Sequence, residues 1–128
     1  MSGFQISQIH HASFIVNDID KALYFYQTVL GLNIDPHRPD LGFPGAWLNI
    51  GGQQIHLLEL PNPDDASERP AHGGRDRHLA VSVTNIELLQ ERLKEYAIPY
   101  TSSQSGRKAV FCRDPDKNTL EFINVSMA

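Results

Sequence analysis

Four side chains of this 128-residue sequence combine metal-ligand chemistry with a regular spacing: His11, His56, His78 and Glu121. Imidazole nitrogen and carboxylate oxygen suit a borderline divalent cation, so Zn, Ni, Co, Mn and Fe are all candidates for one bound ion. Two histidines and one carboxylate with open positions also form the ligand set of Fe(II) oxygenases. His11 opens the run H-A-S-F-I-V-N-D-I-D and His78 opens H-L-A-V-S-V-T-N-I-E, 67 positions further on. Gln54-Ile55-His56-Leu57 superposes on Thr119-Leu120-Glu121-Phe122 at an offset of 65. Two internal repeats related by a pseudo-twofold therefore set His11 opposite His78 and His56 opposite Glu121.

The strands that carry these residues must also aim them. Side chains alternate along a strand, so each candidate ligand shares a face with the residues two away. His11 goes with Ser13, His78 with Ala80 and Ser82, His56 with Gln54, and Glu121 with Thr119, all small or polar. The opposite faces carry Phe14 and Val16, Leu79, Val81 and Val83, Ile55 and Leu57, Leu120 and Phe122. The ligands thus look into a cavity, and the apolar faces pack beneath helices. Those helices follow each first strand, with apolar stripes Ile19, Ala22, Leu23, Tyr26, Val29, Leu30 and Ile86, Leu89, Leu93, Tyr96. Asp18 and Asn85 are the matching N-caps, Gly31 ends the first helix, and Ile98-Pro99 ends the second. Three short strands then follow in each copy, at 32–35, 45–50 and 53–60 and at 99–103, 108–113 and 119–125. The class is α+β, two βαβββ modules forming a cupped mixed sheet. One domain spans 1–128, with module one at about 6–60, a linker at about 61–76 and module two at about 77–126. The linker, rich in Pro, Asp and Gly, reads as a solvated connection, and His72-Gly73-Gly74 would serve equally in a flap over a pocket.

Composition limits the function. A formal charge of −4 with no Lys/Arg cluster argues against nucleic acid. Apolar runs are too short for a bilayer span and Met1-Ser2-Gly3 begins no secretory pattern, so no membrane role and a cytoplasmic address are expected. Cys112, the one cysteine, excludes an intrachain disulfide and reads as a small buried hydrophobe. A chain of this size needs no structural metal, which makes any bound ion functional.

The motifs His11-Ala-Ser-Phe-Ile-Val-Asn-Asp-Ile-Asp-Lys-Ala with Phe25-Tyr26 and Leu30-Gly31, then Arg77-His78-Leu-Ala-Val, then Arg113-Asp114-Pro115-Asp116 leading to Leu120-Glu121, resemble the vicinal oxygen chelate superfamily. That superfamily includes glyoxalase I, extradiol dioxygenases, methylmalonyl-CoA epimerase, and the fosfomycin and bleomycin resistance proteins. The resemblance covers nearly the whole chain. It implies that His11, His78 and Glu121 hold one divalent metal whose open edge takes two neighbouring oxygens of a small substrate. It also implies a homodimer, in some members with ligands drawn from two chains.

At position 56 the family usually places Glu or Gln, so His56 sets this chain apart from the glutathione-dependent isomerase; it is a candidate fourth ligand or a group behind the ligands. The leading expectation is a glyoxalase-like lyase or isomerase in which Glu121 or His56 moves a proton. An Fe(II) extradiol dioxygenase comes second and a metabolite- or drug-binding resistance protein third. Arg38, Trp47, Arg107 and Phe111 are pocket candidates for an anionic or aromatic substrate. His10, pointing away from His11, and His37, in a proline-flanked loop, are expected at the surface.

Overall fold

From each repeated histidine an alternating run of six residues forms the first strand of a half: β1 (His11–Val16) and β5 (His78–Val83). The computed structural model describes residues 3–64 and 68–126; 65–67 of the expected linker, and 1–2 and 127–128 of the expected domain, lie outside the described residues. Helix α1 (Ile19–Leu23) and α2 (Ile86–Glu95) follow the first strands. The remaining strands are β2 (Asn33–Ile34), β3 (Gly45–Ile50), β4 (Gln53–Glu59), β6 (Tyr100–Ser102), β7 (Ala109–Arg113) and β8 (Thr119–Asn124). They make two four-stranded mixed sheets of the same order, β1-β4-β3-β2 and β5-β8-β7-β6.

The register shows the duplication directly. In the parallel pair β1/β4, Ser13 lies opposite His56; in β5/β8, Ala80 lies opposite Glu121. Helix entry repeats as well. Asp18 accepts from the backbone N–H of Asp20 and Lys21, and Asn85 from that of Leu88, as N-caps do. In both halves the end of the last strand supplies a further acceptor: Ile19 N–H donates to Glu59 Oε1 (2.9 Å) and Ile86 N–H to Asn124 Oδ1 (3.0 Å).

Two features differ from the sequence expectation, the course of the first helix and the linker. The first helix does not stay α-helical to Leu30 but widens into a π-helical segment, Tyr24–Val29, closed by Leu30 N–H to Phe25 O (3.0 Å). The wider turn lets the adjacent Phe25 and Tyr26 both be buried together with Val29. The second helix ends ahead of Ile98-Pro99 as expected, with Ala97 at φ 56° and Ile98 N–H returning to Leu93 O (2.8 Å). The linker is not a solvated connection over its second part. Gly73–Arg75 forms a 3₁₀ turn against β7 and β8, with Gly73 buried where a Cβ would come within 2.6 Å of Thr119 Cγ2. This strap is tied down by Asp76, whose carboxylate accepts from Arg69 (3.1 Å) and Arg113 (2.8 Å), while Arg113 also donates to Pro70 O (2.6 Å). Mutual satisfaction of these charges fixes a segment whose composition alone reads as loose.

The apolar faces meet under the helices in one cluster drawing on both halves, including Val16, Tyr26, Leu48 and Ile55 from the first and Ile86, Leu93, Val110 and Leu120 from the second. Tyr26 OH donates to Asp114 Oδ2 (2.7 Å) across the halves, and Arg92 reaches Val29 O and Thr28 O. Among the described residues no helix is long and apolar enough to cross a membrane.

Candidate metal centre and substrate cleft

The donors arrive as two pairs, one on each sheet. On the second, β5 carries His78 and β8 carries Glu121, with His78 Nε2 3.3 Å from Glu121 Oε1. His78 Nδ1 lies 2.9 Å from Asp76 O, and a carbonyl only accepts, so Nδ1 holds the ring proton. In its neutral form the ring turns an Nε2 lone pair toward the carboxylate, two acceptors that a cation between them would satisfy. Glu121 is only 2% exposed, and its Oε2 is buried without a hydrogen-bond partner. A buried carboxylate left this way is costly unless something positive meets it. The Nδ1–H to carbonyl bond is also how metal-binding histidines are usually oriented. These two donors fit a divalent cation.

Around the pair lies a cleft of about 240 Å³ lined by residues that include His72, Arg75, Ser103, Arg107 and Phe111. Phe111 meets both His72 and His78 edge to face, with centroids 5.1 Å apart in each case. Arg107, expected to weigh between hairpin tip and pocket, donates to Ser105 Oγ and keeps Nη2 3.9 Å from Glu121 Oε2. His72 Nδ1 is 2.8 Å from Thr101 Oγ1, which pins the strap beside the cleft. The sequence reading missed Arg75 and the ordering role of Asp76; the Arg/Asp content of 69–77 was the available signal.

On the first sheet β1 and β4 bring His11 and His56 together, stacked with centroids 3.9 Å apart, and Trp47 of β3 stacks on the other side of His56 at 4.5 Å. Trp47 is thus a partly buried wall of this site and not a core residue. Burial first, then the neighbouring His11 and His10, hold the His56 ring below its ordinary pKa. His10 does not point away as expected: it precedes β1, its side chain is free of strand alternation, and its Nδ1 meets His11 Nδ1 at 2.8 Å. If His11 donates in that contact, its Nε2 is left free to bind a cation. Arg38 donates to Phe43 O (3.0 Å) and lies over the Phe43 ring. His37 is at the surface as expected, against Asp35 (2.9 Å). Cys112 is buried, its thiol pushed up to about 12 by desolvation and by Asp114, which suits a packing role.

Among the described residues no group of three or more His, Cys, Asp or Glu side chains converges on one point within the chain. Each sheet offers two donors, at positions that the strand registers make equivalent.

Comparison with known proteins accords with this fold. The chain is 31% identical over 125 residues to glyoxylase I 4 of Arabidopsis thaliana, covering 93% of this chain and 71% of that one. It is 27% identical over 124 residues to lactoylglutathione lyase of Haemophilus influenzae, covering 91% of each. Its fold superposes on the crystal structure of a fosfomycin resistance protein from Listeria monocytogenes with a TM-score of 0.77 at 18% identity, covering 96% of this chain and 94% of that one. Residues 8–122 match the model of a single superfamily across both repeats, and by that match the chain belongs to the Glyoxalase/Bleomycin resistance protein/Dioxygenase superfamily.

Proposed function

We propose that this chain is a divalent-metal-dependent enzyme of glyoxalase-like lyase or isomerase chemistry, acting on a small oxygen-bearing and anionic substrate. His11, His78 and Glu121 hold the cation, and His56 lies beside them. The observation that carries the reading is the His78–Glu121 pair, an imidazole whose Nε2, oriented by the Nδ1–H bond to the Asp76 carbonyl, lies 3.3 Å from a buried carboxylate with one oxygen lacking a hydrogen bond. When bound, the ion supplies a Lewis acid that stabilises negative charge on a hydroxy-carbonyl unit. Glu121 Oε2 is free to take the proton from the carbon next to the carbonyl and return it to the neighbouring carbon. Arg75 and Arg107 line the cleft, Arg107 with Nη2 3.9 Å from Glu121 Oε2, and offer charge to an anionic substituent, while Phe111 and the strap limit water.

Because each sheet supplies only two donors, the full set is proposed to form where two copies meet, with the first sheet of one chain against the second sheet of the other. The strongly exposed Ile6 and Ile9 just ahead of His10 support a covered surface there.

Chains carrying His11→Ala and chains carrying Glu121→Ala are each expected to bind no stoichiometric metal. Mixed and refolded one to one, they should recover about a quarter of the wild-type sites, since half the dimers are mixed and each mixed dimer has one intact site. Elemental analysis reads the metal, and a hemithioacetal assay reads isomerisation. Recovery of nothing would remove the shared site. Wild-type metal content in a chain lacking all three ligands would remove the metal reading, and oxygen uptake with a catechol would replace the reaction class.

A further inference from the structure

His56 is held in the opposite proton arrangement from His78. Its Nε2 lies 2.8 Å from Gln54 Oε1. The amide of Gln54 cannot be turned round, because its Nε2 donates to Asp35 Oδ2 and to Asn49 Oδ1, both at 2.9 Å. Asp35 is a carboxylate and only accepts, so the amide nitrogen must face it and the amide oxygen must face His56. An amide oxygen cannot donate. Hence the proton of the contact belongs to His56 Nε2, and the lone pair of the neutral ring sits on Nδ1.

Asp35 is itself fixed from the other side by the backbone N–H and ring of His37, both at 2.9 Å. The chain His37, Asp35, Gln54, His56 therefore crosses from the loop after β2 to the middle of β4, and its direction is set by the one member that cannot donate.

We infer that Gln54 and Asp35 are positioning residues that fix His56 as the Nε2–H tautomer, leaving Nδ1 as the single ring atom through which His56 takes a proton or binds a cation. This deepens the proposed function at the same site and rests on it only for its catalytic meaning. His56 is then excluded as an Nε2 ligand, the role open to His78, and is available as a proton acceptor at Nδ1. The two equivalent strand positions, 56 and 121, come to hold a proton acceptor each, one imidazole and one carboxylate. Neither Gln54 nor Asp35 needs to touch substrate for this.

The test is the pattern of two- and three-bond ¹H–¹⁵N correlations from the histidine rings of metal-free, ¹⁵N-labelled protein at about pH 8, above the ordinary histidine range. His56 should show a protonated Nε2 and an unprotonated Nδ1, and His78, bonded to the Asp76 carbonyl, should show the reverse and serves as the internal control. Asp35→Asn, which can still present an oxygen to the Gln54 amide, should leave the His56 pattern unchanged. Asp35→Lys replaces the acceptor by a donor, turns the amide, and should move the His56 proton to Nδ1; Gln54→Leu should give averaged shifts of a ring free to exchange tautomers. A wild-type His56 protonated at Nδ1 would overturn the inference, as would a pattern that neither Asp35→Lys nor Gln54→Leu alters. Because the readout needs no metal, failure here leaves the metal reading standing, and a chain that binds no metal leaves the tautomer assignment standing.

Discussion

Asp76 shows how one side chain serves both architecture and site. Its carboxylate holds Arg69 and Arg113 while its carbonyl orients His78. Burial alone would raise its pKa, but the hydrogen bonds from Arg113 and the Arg77 backbone, with the charges of Arg69 and Arg113, bring it below the ordinary carboxylate value. A lowered acid contributes stability that is complete above its unfolded pKa and is lost as pH falls through the folded one. Strap protection from hydrogen exchange should therefore hold at neutral pH and fall away only in acid below the usual aspartate range. With the side chain 7% exposed, Asp76→Ala leaves the Arg113 guanidinium facing no anion and Arg69 with only the more distant Asp64 (3.7 Å), and should cost about 3 kcal/mol in denaturant unfolding. At this scale the sequence was most readable in the repeat, which sets His11 and His78, and His56 and Glu121, at equivalent strand positions. It was least readable for the groups behind them. Nothing in the run around Asp35 or Gln54 marks them out, and the Arg/Asp content around Asp76 does not say which charges pair, because these roles depend on contacts made across loops after folding.

Among the elements, strands and caps followed from local pattern, since alternation and N-cap chemistry act within a few residues. The widening of the first helix did not: at Tyr24–Val29 it turns π-helical, with Phe25, Tyr26 and Val29 buried in a cluster shared with the second half of the chain. The end of α2 is set by Ala97 at φ 56°, a conformation in which a Cβ is crowded. Ala97→Gly removes that crowding at the cost of a more mobile unfolded chain, and a gain of about 0.5–1 kcal/mol is expected from a shift in the urea midpoint. The strap could not be separated from a solvated linker by composition, because Pro and Gly favour both; its ion pairs and the close fit of Gly73 on Thr119 decide the matter.

The whole molecule depends on contacts between halves that each look complete in sequence. Tyr26 and Asp114 are buried together, and burial, with the Asp114 charge, pushes the Tyr26 hydroxyl well above its ordinary pKa. Tyr26→Phe removes the donor while Asn118 still bonds the same carboxylate oxygen, so the loss should be about 2 kcal/mol rather than complete unfolding, measured by thermal or denaturant melts. The duplication and its class were legible because repetition at a fixed offset survives in the residues themselves. The proposed meeting of the two donor pairs was not, since that is a property of surfaces facing each other.

The shared interior has a practical corollary for anyone handling the protein with proteases. Residues 61–64 are exposed, whereas the buried cluster on either side of them is common property of the N-terminal and C-terminal portions. A single cut between Pro63 and Asp64 should yield two fragments that co-elute as one particle under native conditions and separate only in denaturant, because neither fragment alone can hide the apolar surface that the other covers.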